Sequence, residues 1–187
     1  MNRLLAASNA IQRLLERIAD WSGWLLIVLM CVTCVDVLFR KIRVAYFPYT
    51  QLQELEWHLH TAIFALWLGF NYTINAHPRV DSYTEALGFR AKAWIELAGC
   101  LLFALPYTLV VLYYGWDFVK TSYVLNESSD SAVGLEYRWI IKGVLWLGLW
   151  LLLAGILSVL LRLIVYLFGK RPAEEVKLQI GSSVSQV

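Results

Sequence analysis

The chain has 187 residues, of which 59% are hydrophobic, 14% aromatic and only 16% charged, and its formal net charge is +2. A soluble domain of this size does not carry so much apolar surface, and so small a charge is no footprint for nucleic acid. What remains is an all-α integral membrane protein, because only helices and closed barrels satisfy their backbone in lipid and the apolar runs here are helix-length.

Residues 3–20 place Leu4, Leu5, Ile11, Leu14, Leu15 and Ile18 on one helical face and Arg3, Gln12, Arg13 and Glu16 on another. That pattern predicts an amphipathic helix lying in the membrane interface. Four long apolar runs follow, near Trp21–Phe39, Leu59–Ala76, Ala93–Gly115 and Gly143–Leu161. Each is long enough for a hydrocarbon core of about 30 Å. They predict four transmembrane helices at about 21–39, 57–76, 93–115 and 139–163. In the first, Asp36 near the end is one turn from Arg40 and can pair with it. The second is the most polar and ends in Asn71, Tyr72, Thr73 and Asn75. Pro106, near the middle of the third, predicts a kink. The fourth holds nine leucines and no charge between Gly143 and Leu161. Residues 170–187 read as a polar cytoplasmic tail, disordered over Gly181–Val187.

Basic residues set the orientation. With four spans the two termini and the second loop share one side, which holds ten Lys and Arg, against six on the other. Both termini are therefore expected in the cytoplasm, despite the Arg40–Lys41–Arg43 cluster on the opposite side.

Three constellations suggest chemistry. Cys31-x-x-Cys34 is the spacing of a thiol oxidoreductase, but it lies among Leu29, Met30, Val32 and Val35, and only Cys100 remains as a relay. Paired histidines hold haem in four-helix bundles, yet His77 is about 26 Å along one helix from His60, with His58 farther still, and no other helix has a histidine. Glu54/His58 and Glu56/His60 are each one turn apart, but the pairs point roughly 200° from each other and do not easily share an ion. A polar helix entrance, with Trp57 at the headgroup level, is the simpler reading. No catalytic residue, metal ligand or cofactor site is therefore expected. Ionisable residues are absent from mid-span, unlike in most pumps and channels. Charges gather instead at the helix ends, where they can hold a partner.

The polar residues resemble those of the small membrane subunit of tripartite ATP-independent periplasmic (TRAP) transporters, the DctQ type. The likeness runs through Asp36-Val-Leu-Phe-Arg40, Pro48, Gln51-Leu-Gln-Glu-Leu-Glu-Trp-His-Leu-His60 and Trp67-Leu-Gly69. It continues in His77-Pro-Arg-Val-Asp81, where Pro78 replaces the commoner Val, then in Glu127-Ser-Ser and Gly134-Leu-Glu-Tyr-Arg-Trp-Ile-Ile-Lys142. The last stretch is similar to the branch labelled for mannitol, chloroaromatic or 2-oxo acid uptake. The resemblance implies a non-catalytic scaffold in the bacterial inner membrane. Its partners would be lipid, a large multispanning transport subunit and a periplasmic substrate-binding protein, in gradient-driven organic acid uptake. A thiol or haem oxidoreductase, or an accessory subunit of another membrane complex, is the alternative.

The polar clusters expected at interfaces, or satisfied locally, are Asp36 with Arg40, the outer group Glu54, Glu56, Trp57, His58, Glu127, Arg138 and Lys142, and the cytoplasmic turn His77, Arg79 and Asp81. In the outer group Arg138 and Lys142 are expected to pair with Glu127, Asp130, Glu136 or Asp36. Gly99, Gly143, Gly148 and Gly155 are candidates for close backbone approach to a partner helix. Nine tryptophans and ten tyrosines are expected to anchor the bundle at the interfaces.

Overall fold

The computed structural model describes residues 1–43, 45–77, 84, 86–169 and 171–180. Among them every regular element is helical: α1 (Asn2–Ile42), α2 (Tyr49–Thr73), α3 (Phe89–Gly99), a π turn (Cys100–Ala104), α4 (Leu105–Val124), α5 (Trp139–Gly169) and a short α6 (Ala173–Val176). Three rods are long and apolar enough to cross a membrane: Asn2–Ile42, Phe89–Val124 and Trp139–Gly169. The second of these is α3, the π turn and α4 end to end. The fourth, α2, has 25 residues and a polar entrance.

The interfacial helix expected at 3–20 is not a separate element. Residues 2–42 hold no proline and one glycine, Gly23, so nothing interrupts the hydrogen-bond ladder and α1 runs unbroken for 41 residues. Its buried positions Ser8, Leu15, Ala19, Ser22, Leu29 and Asp36 form one stripe along its whole length. The amphipathic pattern of the first half is thus accounted for by packing on α5 as well as by an interface. The helix stops where Arg43 turns left-handed, at φ 51°.

The irregularity expected at Pro106 appears just before it. Proline lacks an N–H, and its ring collides with the carbonyl four residues back. The chain widens by one residue, so Leu105 N–H donates to the Cys100 carbonyl, and the π turn absorbs the conflict.

Helix α5 is the hub, packing on α1, α2, α3 and α4. Its closest neighbour is α2, and small residues bring the two backbones together. A Cβ added at Gly148 would lie 2.5 Å from the Ala65 carbonyl oxygen, and one at Gly155 would lie 2.5 Å from that of Gly69. A Cβ at Gly69 would in turn strike the Leu151 carbonyl. Gly148 and Gly155, expected to serve a partner helix, are therefore used inside the chain. Gly99 and Gly143 have nothing within 4 Å of a Cβ and face outward.

Two tryptophans act as bolts rather than interfacial anchors. Trp67 Nε1 on α2 donates to the Ala19 carbonyl at 3.1 Å and to Ser22 Oγ at 2.9 Å on α1. Trp146 Nε1 on α5 donates to the Leu112 carbonyl on α4 at 3.0 Å. Trp21, Trp24, Trp57, Trp94, Trp116 and Trp150 are exposed on the outside, as anchors need to be.

Residues 171–180, expected as part of a polar tail, fold back onto the bundle. Val176, Leu178 and Ile180 are buried in one cluster with Leu163, Val165 and Leu167 of α5, and Leu4 and Leu5 of α1 pack against it. Alternation explains it: Lys177 and Gln179 face out while their neighbours face in. The stretch expected to be disordered, 181–187, lies outside the described residues.

Candidate interaction sites at the ends of the bundle

One end of the bundle is made by the α1–α2 turn and the loop from α4 to α5. Asp36 on α1 is 6% exposed and holds Arg40 in a forked pair, with Arg40 Nη2 donating to its two oxygens at 3.0 and 2.9 Å. The Arg40 guanidinium lies 5.4 Å from the Tyr49 ring centre on α2. Tyr49 itself donates its hydroxyl to the Phe39 carbonyl at 2.8 Å. Phe47 packs edge-on between Phe39 and Tyr49. The expected Asp36–Arg40 pair is thus present, and it stitches a hairpin.

The α4–α5 loop is closed by its own backbone. Arg138 N–H donates to the Glu127 carbonyl at 3.0 Å, and Ser129 N–H to the Leu135 carbonyl at 3.1 Å. Glu54 on α2 reaches up and holds it, accepting the Ser129 hydroxyl and, at 2.6 Å, the Leu135 N–H. These two bonds, the Ser129 hydroxyl first, hold the Glu54 carboxyl below the ordinary carboxylate range, with Arg138 and His58 adding to the effect. Lys142 Nζ lies 2.5 Å from Glu127 Oε2 and 4.0 Å from the Phe118 ring centre. Its hydrogen bond is the main reason the Glu127 carboxyl is also lowered. Arg138 pairs with Asp130 at 3.5 Å, but Asp130 is 98% exposed, and such a pair contributes little. Of the partners expected for Arg138 and Lys142, Glu127 and Asp130 are found, while Asp36 is taken by Arg40.

On the flank of this cluster, Trp57, His58, Thr61, Arg138, Ile141 and Lys142 line a cavity of about 230 Å³. The His58 and His60 rings bond carbonyls of their own helix, Glu54 at 2.6 Å and Glu56 at 2.9 Å. One carboxylate oxygen of Glu56 is buried without a hydrogen-bond partner among the described residues.

The other end holds His77, whose ring lies 5.9 Å from that of Tyr72 and whose Nε2 is buried without a hydrogen-bond partner among the described residues. Arg79 and Asp81, expected in the same turn, lie outside the described residues. Beside His77 the π turn opens a lateral groove of about 780 Å³, with the Tyr72 hydroxyl 3.0 Å from Cys100 Sγ in its wall. Cys31 and Cys34 are unbonded and exposed on the outer face of α1.

Sequence reasoning missed three things. Ser129 and Leu135 were read only as motif, because loop polarity gives no sign of what it faces. Gly69 was read as motif rather than as packing. At the His77 end, Arg162 joins α1, α5 and the C-terminal segment through Ser8, Asn9, Gln12 and Lys177. Its only sequence signal was one cation directly after the leucine run.

A family model described as "Tripartite ATP-independent periplasmic transporters, DctQ component" matches residues 29–165. The chain belongs to the DctQ family. It is a small membrane subunit of a TRAP transporter, and membership of that family implies association with a large membrane subunit and a periplasmic binding protein. The match takes in Asp36, Arg40, the outer cluster and α5 as far as Val165, so the polar clusters that carried the resemblance fall within it. No curated protein and no solved structure matches the chain. The family is a transporter component, and the surface fits the membrane, with Trp21, Met30, Leu102, Phe103, Tyr107, Val124 and Phe168 among many large apolar side chains standing exposed.

Proposed function

We propose that this DctQ-family chain is the immobile, non-catalytic small subunit that braces a large transport subunit during ion-gradient-driven uptake of an organic acid. A periplasmic binding protein delivers the substrate, in the branch labelled for mannitol, chloroaromatic or 2-oxo acids. The chain crosses the bacterial inner membrane four times, as α1, α2, Phe89–Val124 and α5, with both termini cytoplasmic. Support for the fourth crossing is positional: α2 packs on α1 and α5, and its charged side chains gather at its entrance. The excess of basic residues on the terminal side supports the orientation.

The observation that carries the bracing role is where the polar contacts sit. They are strong at the two ends, while mid-bundle α2 and α5 touch backbone to backbone. A bundle closed at its centre suits a support better than a carrier. The buried oxygen of Glu56, without a hydrogen-bond partner among the described residues, and the cavity beside Trp57 and Arg138 support a partner's hydrogen bonds at the outer end. Lipid covers the remaining apolar faces.

The test is purification of the tagged chain from its native membrane in mild detergent, followed by mass spectrometry. A stoichiometric, much larger multispanning protein is expected, with a periplasmic binding protein found weakly. The double substitution Glu54→Ala with Arg138→Ala is expected to lower recovery of the large subunit several-fold. Full recovery and unchanged uptake would remove the outer cluster from assembly, and a lone chain carrying a chromophore would remove the proposed function.

A further inference from the structure

Arg162 is 2% exposed, and its hydrogen-bond partners are neutral. Nε donates to Ser8 Oγ at 2.9 Å, Nη1 to the Lys177 carbonyl at 2.9 Å, and Nη2 to Asn9 Oδ1 at 3.1 Å and to Gln12 Oε1. Ser8 and Ser158 complete the floor, each hydroxyl donating to the other's carbonyl, at 3.0 and 3.1 Å. A guanidinium has five N–H donors. Four are used, and the fifth, on Nη1, has no partner among the described residues. None of the described carboxylates lies within ion-pair distance of the group. A buried charge without a counter-charge is unfavourable, so this one is half of an arrangement.

The space for the other half is present. A cavity of about 290 Å³ opens on Arg162, lined also by Gln12, Glu174, Lys177 and Gln179. A second, of about 300 Å³, adjoins it through Gln12 and Lys177 and reaches Arg13 and Glu16. The side chains of Arg13 and Lys177 have no hydrogen-bond or ion-pair partner among the described residues. Glu16 and Glu174 are exposed, and among the described residues neither forms an ion pair with the three cations. Lys177 is held left-handed, at φ 52°, which turns its carbonyl to Arg162 and leaves its ammonium at the rim. The exposed Trp94 packs edge-on against Phe168 at the same end of the bundle, with 5.6 Å between ring centres. An interfacial tryptophan there brings headgroup phosphates to this end.

We propose that Arg162, Arg13 and Lys177 form an anion site for a phosphate group, with the Gln12 and Gln179 amides beside it, and that the group is supplied by a phospholipid headgroup or by free phosphate. Arg162 contributes the buried charge, and the rim cations contribute long-range attraction. Occupation ties the C-terminal segment to the start of α1. Only the lipid source depends on the membrane reading above.

The experiment uses the full chain with whatever subunit purifies with it, in nanodiscs of phosphatidylcholine alone or with phosphatidylglycerol. Retained lipid is counted by native mass spectrometry, and inorganic phosphate is titrated against thermal stability at constant ionic strength. Arg162 variants risk misfolding, so the exposed pair Arg13→Gln with Lys177→Gln carries the test. At least a fivefold loss of phosphatidylglycerol retention in the variant, with no response to phosphate, assigns the site to a headgroup. A phosphate-dependent rise in melting temperature that the variant loses assigns it to the free anion. Equal retention and equal phosphate response in wild type and variant overturn the proposal. The large subunit's presence or absence in the same preparation reports separately on the proposed function.

Discussion

Adding one methyl group to α5 at Gly155 tests the architecture most directly. The new Cβ would lie 2.5 Å from the Gly69 carbonyl oxygen and 3.2 Å from the Gly69 carbonyl carbon and Cα. Ordinary contact begins near 3.4 Å, so α2 must retreat by about 0.9 Å. All three obstacles are backbone, and no side chain can swing aside. A gap of that size forfeits a quarter to a half of each contact along the seam, and overpacking of this kind costs about 1–3 kcal/mol. The substitution also gains helix propensity, up to about 1 kcal/mol. Gly143→Ala on the same helix gains as much and meets nothing within 4 Å. Comparing the two variants cancels the propensity, leaving about 1–3 kcal/mol, or about a 5- to 150-fold difference in folding equilibrium. Equilibrium unfolding in mixed detergent micelles measures it, with Gly155→Ala expected to unfold at a lower SDS fraction than Gly143→Ala. Coincident unfolding curves would refute the close seam.

Three further outcomes follow from the contacts. Glu54 has a carboxyl lowered by Ser129 and the Leu135 N–H, so its stabilisation of the loop is complete above the unfolded-state value of about 4.3. It is lost as pH falls through the lower folded value. Hydrogen exchange of loop peptides spanning 127–138 should stay flat from pH 7 to 5 after correction for intrinsic rates and rise only below 4, and a rise near pH 6 would contradict this. Trp146→Phe removes the bond to the Leu112 carbonyl and should destabilise by about 1 kcal/mol, read as a lower melting temperature, whereas the exposed Trp150→Phe should not. Replacing Cys31 and Cys34 together by Ala should leave uptake by the assembled transporter unchanged, and loss of uptake would revive the thiol alternative.

The sequence made some features legible because they depend on one helix alone. Asp36 and Arg40 are four residues apart, and helical geometry makes them meet whatever surrounds them. Pro106 announced a local fault, since its missing N–H is a property of the residue. What stayed hidden depends on two elements at once. Gly69 and Gly155 carry no sign that they face each other, and neither do Glu54 and Leu135, 81 residues apart. The continuity of α1 was obscured by composition: residues 3–20 are more polar than 21–39, which suggested two elements, but polarity does not break a helix that lacks proline. The buried tail was missed for a related reason, because Val176, Leu178 and Ile180 are too few to stand out until α5 supplies the surface they cover.

That tail gives the chain two kinds of cohesion. In the proposed topology the seam of Ala65, Gly69, Gly148 and Gly155 lies in lipid, where apolar groups gain no hydrophobic free energy by leaving acyl chains for one another, and attraction rests on dispersion between close backbones. Val176, Leu178 and Ile180 sit at the aqueous end, where expulsion of water holds them to Leu163 and Leu167. The two respond to different solvents. Urea, which solvates apolar and peptide groups from the water side, should peel the tail from the first turns of α1 while leaving the seam intact. Thicker or thinner bilayers should strain the seam and leave the tail alone.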